Sequence, residues 1–155
     1  MSESPGIVID DAVVSTTGRK VGYAVTIVLN GVLLFIANNL LAWGWFPWLT
    51  DDFERVLPVL NTSIIVSMIV NTVFLAYDPR WFKTVADILT TSLSIAVGVR
   101  MWQVFPFDFS GYDWDWARTV RWIIAIGIIG AMIGLIVNVV LLVRIVMGLV
   151  PADDR

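Results

Sequence analysis

The sequence predicts an all-α integral membrane protein, with four transmembrane helices in a bundle. Three observations lead there. Only 15% of the 155 residues are charged, against about 25% in a soluble domain. The mean hydropathy is +0.84, so much of the surface must face something other than water. And the charges divide the chain into four apolar windows, each close to the roughly 20 residues a helix needs to span a bilayer.

The first window, about 21–46, carries no charge between Lys20 and Asp51. About twenty mixed residues precede it, and its apolar run exceeds that of a cleavable signal, so it reads as a retained anchor. Pro47 ends it. The second, about 56–77, carries Pro58 in its first turn, where proline is tolerated. The third, about 81–104, spans the bilayer if Lys83 and Arg100 reach back to the two surfaces. The fourth span, about 119–146, is built on the charge-free run Trp122 to Val143 between Arg121 and Arg144. Residues 1–20 and 149–155 are expected as tails, the first weakly alternating around Ile7, Ile9 and Val13 in a manner compatible with disorder or with an added strand.

Lysine and arginine set the expected orientation. Arg19, Lys20, Arg80, Lys83, Arg144 and Arg155 fall on one side, and Arg55, Arg100, Arg118 and Arg121 on the other. Six against four places both termini in the cytoplasm of a cell membrane. The opposite face then holds two loops, WGWFPWLTDDFER and FPFDFSGYDWDW, and seven of the eight tryptophans. Indole rings favour the headgroup level, so these loops are expected to form short folded caps in an aromatic belt. Asp108, Asp113, Trp114, Asp115 and Trp116 are the candidates there for contact with a partner or a hard cation, although no spaced calcium loop is present.

The loops echo each other in Phe46-Pro47-Trp48 and Phe105-Pro106-Phe107. Ile69–Leu75 and Ile136–Leu142 also match loosely. A duplicated helical hairpin is therefore a further expectation.

Polar residues recur inside the spans on the helical period. Asp87, Thr90, Thr91, Ser94 and Gly98 share one side of span three. By depth, Asn30, Asn71, Asp87 and Asn138 are expected in the same half of the bundle, with Arg144 or Lys83 as partners for Asp87. Gly127, Gly130 and Gly134 share one side of span four and read as a close helix contact.

Several function classes lose their usual residues. Cysteine and histidine are absent, which removes thiolates, the commonest general base and the commonest transition-metal ligand. No cofactor or bound metal is expected. The net charge of −3 and the lack of a basic cluster argue against nucleic acid. The expected partners are membrane lipids and other membrane subunits, or copies of the chain itself. The leading expectation is a non-catalytic accessory or scaffold subunit; the alternative is a small oligomeric ion or solute channel with a polar path near Asp87.

Overall fold

A computed structural model describes the backbone of residues 6–151 and the side chains from Thr17 onward. The helices are α1 (Gly6–Trp43), α2 (Leu57–Ala76), α3 (Arg80–Val104) and α4 (Trp116–Val146), with a 3-10 helix at Asp51–Arg55. All four α-helices are long and apolar enough to cross a membrane. The chain is a small multi-pass membrane protein with a four-helix architecture.

The helix boundaries have local causes. α1 stops at Trp43 because Gly44 turns left-handed at φ +61°, a conformation glycine adopts without a Cβ clash. Pro58 occupies the start of α2. Asp78 precedes a proline and Pro79 is extended at the N-cap of α3, so the chain cannot run helical through this turn. α4 begins at Asp115, whose carboxylate accepts from the Arg118 amide. At the other end of the chain α1 starts far earlier than the expected span. The stretch from Gly6 expected as a tail is helical, and at ~1.5 Å per residue α1 is longer than the bilayer is thick. Residues 1–5 and 152–155 of the two expected tails lie outside the described residues.

Packing follows chain order: α1 on α2, α2 on α3, α3 on α4. Pairs along the seams show that each contact is antiparallel. Tyr23 meets Phe74, Asn30 meets Ser67 and Asn38 meets Asn61, so α1 ascends as α2 descends. Phe74 meets Phe82 while Arg100 meets Arg55. Gly98 faces Ile128 and Arg121 faces Trp102. Two helical hairpins result, α1–α2 and α3–α4, joined through α2 and α3. Among the described residues no comparable contact joins α1 to α4, so the bundle is open. Its outward faces are rich in Val and Ile left exposed by the chain itself, as lipid-facing helices require.

Candidate functional site

The two fully buried large side chains, Val56 and Pro106, are not in the spans but in the cap built by the two aromatic loops, and Phe53, close to Val56 in sequence, is buried as well. The loops pair through main-chain bonds: the Thr50 amide donates to the Pro106 carbonyl at 3.0 Å, and the Asp108 amide donates to the Trp48 carbonyl at 2.8 Å. Leu49 and Phe107 thus form an isolated antiparallel bridge. Rings then cover it. Trp48 lies 5.7 Å from Phe107 and 5.8 Å from Phe109, while Trp43 stacks on Trp45 at 4.5 Å. The two echoing Phe-Pro-aromatic segments therefore meet each other. The loops are folded caps, as their composition suggests.

The acids in this cap have local tasks. Asp108 accepts the Ser110 amide at 2.9 Å, and that bond holds its carboxyl below the ordinary range. Asp115 accepts the Arg118 amide at 3.0 Å and pairs with the Arg118 guanidinium at 3.3 Å. Asp113 shares an open cleft of about 480 Å³ with them, beside Trp114 and Trp116. No group of three acids close enough to hold a metal occurs among the described residues. The contacts shown for Asp108 and Asp115 are those of turn formation and helix capping. Trp114 donates its indole N–H to Thr119 at 3.2 Å, tying the loop to the first turns of α4.

The intramembrane polar residues do not form one cluster. Asn30 donates to the Ser67 hydroxyl at 2.9 Å, and Asn71 donates to the Ser67 carbonyl at 2.8 Å. These three make a small network inside the α1–α2 seam. Nearer the cap, Asn38 and Asn61 exchange amide hydrogen bonds, both at 2.9 Å. Asp87, Asn138 and Arg144 stand apart. Among the described residues none of their side chains has a hydrogen-bond or ion-pair partner, and Asp87 and Arg144 are exposed.

Lys83 makes its ion pair with another carboxylate than Asp87. Asp78, in the turn before α3, takes Lys83 Nζ at 2.6 Å and the Tyr23 hydroxyl at 3.1 Å. Arg19 approaches it at 3.9 Å. This turn joins α1, α2 and α3 at the end opposite the aromatic cap. The sequence holds a signal for it: one acid, followed by proline, with Arg19, Lys20, Arg80 and Lys83 at the same membrane end.

The glycine expectation also shifts. A Cβ added at Gly127, Gly130 or Gly134 would meet nothing within 4 Å, so these residues make no close helix contact within the chain. Gly98 does. A Cβ there would lie 2.8 Å from Ile128 Cγ1, so the Ile128 side chain rests on the α3 backbone.

α3, lying between α2 and α4, has two exposed stripes. Val85, Leu89, Ser92, Ala96 and Val99 form a mainly apolar one; Asp87 and Ser94, two turns apart, form a polar one flanked by the half-buried Thr90 and Thr91. Thr90 and Ser94 return their hydroxyls to the helix, donating to Ala86 and Thr90 carbonyls at 3.0 and 2.9 Å. Asp87 has no such internal outlet. No protein family, curated protein or solved structure matches the chain. The site must be read from its own geometry.

Proposed function

We propose that this chain is a non-catalytic accessory or scaffold subunit, which assembles with copies of itself or with a larger membrane complex. The Lys and Arg balance supports a cytoplasmic location for both termini. One observation carries the reading: the Asp87 face of α3 is uncovered by the chain itself, although the amides of Asn30, Asn38, Asn61 and Asn71 find partners inside the α1–α2 seam. A carboxylate in the bilayer costs about 2.5–3.5 kcal/mol at the centre and less toward the edge. A neighbouring protein surface that donates to Asp87 removes that cost. The open order of the helices and the three unused glycines of α4 leave room for such a neighbour. The absence of histidine and cysteine supports a non-catalytic role.

The same exposed stripe favours a second reading. In a closed oligomer, Asp87 and Ser94 from several copies would line a wet path and pass a cation or proton. Reconstitution in liposomes loaded with pH- and ion-sensitive dyes separates the two. The scaffold reading expects no flux from wild type or from Asp87→Asn. A wild-type leak that Asp87→Asn abolishes would overturn it in favour of the channel.

A further inference from the structure

A groove follows the α3–α4 seam inward from the aromatic cap. Its mouth, about 400 Å³, is lined by Trp102, Asp115, Arg118, Arg121 and Trp122. A second section of about 260 Å³ continues between Val99, Ile128 and Ile129. The two sections share Trp102 and Ala125, so they adjoin along the seam, the first charged at its mouth and the second apolar. From Arg118 to Ile129 is eleven residues, or about 16 Å at helical rise. That is close to one leaflet of a bilayer whose hydrocarbon is about 30 Å thick.

The mouth has a cation with unused donors. The Arg121 guanidinium sits 4.1 Å from the Phe105 ring centroid and 5.2 Å from that of Trp102. Stacking of this kind occupies the face of the guanidinium and leaves its edge N–H groups free. No carboxylate or other protein acceptor takes them among the described residues. Arg118 is neutralised by Asp115 at 3.3 Å, so the mouth carries one net positive charge. The tryptophans beside it mark the headgroup level.

We infer that this groove binds an anionic phospholipid, with the phosphate on the edge of Arg121 and one acyl chain along Ala125 and Ile129. Charge selects the occupant: one phosphodiester balances the one uncompensated guanidinium, and bidentate N–H donation suits two phosphate oxygens. The apolar length selects a lipid over a free phosphate.

Native mass spectrometry of the delipidated full chain in detergent tests this. Phosphatidylglycerol is titrated beside diacylglycerol with the same chains, and inorganic phosphate is added as a competitor. Phosphatidylglycerol should bind about tenfold more tightly than diacylglycerol, as expected for a charge-assisted contact. Millimolar phosphate should not displace it. Arg121→Gln should weaken phosphatidylglycerol by a similar factor. Ala125→Trp, which fills the shared floor while keeping both arginines, should weaken both lipids. Equal binding of the two lipids by wild type, displacement by phosphate, or phosphatidylglycerol affinity unchanged in both variants would overturn the inference. The wild-type comparisons stand even if a variant fails to fold.

Discussion

Gly98→Ala places a methyl group where the structure has none to spare. The new Cβ would lie 2.8 Å from Ile128 Cγ1 and 3.5 Å from its Cδ1. Ordinary carbon contacts begin near 3.5–4.0 Å, so about 0.7–1.2 Å must be recovered. Ile128 cannot easily supply it. Cγ1 is bonded to Cβ, and a β-branched residue in a helix is held in essentially one χ1 rotamer. The helices must therefore separate, at a typical overpacking cost of about 1–3 kcal/mol. Alanine returns up to about 1 kcal/mol of helix propensity. The expected net effect is a loss of roughly 1 kcal/mol. Reversible unfolding in mixed detergent micelles, followed by tryptophan fluorescence, measures it. Ile128→Ala removes the obstructing Cγ1, so in that background Gly98→Ala should be neutral or stabilising. A coupling energy of about 1 kcal/mol or more between the two positions is expected, well above the ~0.5 kcal/mol seen for independent sites. A coupling within ~0.5 kcal/mol of zero would refute the close α3–α4 contact. Gly130→Ala and Gly134→Ala, which meet open space, should not destabilise the isolated chain.

Three further predictions address the ends of the bundle. Asp78→Asn removes the charge that holds Lys83 and Arg19 and should destabilise the chain by about 1–2 kcal/mol in the same unfolding assay; an unchanged midpoint would show that the turn is not a joint. Asp108 has a depressed folded pKa because the Ser110 amide donates to it, so its stabilisation of the turn is present above the unfolded value, near ~4, and is lost as pH falls through the folded value. The Ser110 amide resonance should move with that titration and should stop moving in Asp108→Asn; pH-independent shifts in wild type would contradict this. For orientation, an impermeant thiol reagent should label Ser110→Cys but not Leu149→Cys on intact cells, and the reverse pattern would invert the topology.

The four spans were legible because lipid imposes a length and an apolar composition that no other solvent demands. Proline marked several boundaries within a few residues. α1 was the exception, since a helix that leaves the bilayer no longer needs apolar residues, and its mixed first turns carry no span signal. The aromatic caps were legible from composition, but their pairing was not. The bonds from Thr50 and Asp108 are made by main-chain groups, which every residue has. Depth arguments placed Asn30 and Asn71 in one half of the bundle, and these two do share Ser67. Such arguments give height and not azimuth, so they could not separate Asp87, on the exposed side of α3, from the α1–α2 network. Spacing likewise marked Gly130 and Gly134 as a packing face without saying whose. Gly98, on no glycine repeat, makes the close contact because the neighbouring helix happens to lie over it. Asp78 carried no span signal for a different reason: it lies in a turn outside the apolar windows, where an acid is ordinary, and that turn has the shorter route to Lys83.

The proposed scaffold role requires that another protein surface cover the helices this chain leaves open. A photo-crosslinking amino acid at Ile133, an exposed α4 position beside Gly130 and Gly134, tests it most directly when activated in native membranes. The same residue at Phe35, exposed on α1, serves as the comparison. The account predicts a discrete protein adduct above the 17.3 kDa chain from Ile133, of a size set by a second copy or by a larger subunit. Lipid adducts alone at Ile133, with no more protein capture than at Phe35, would contradict it.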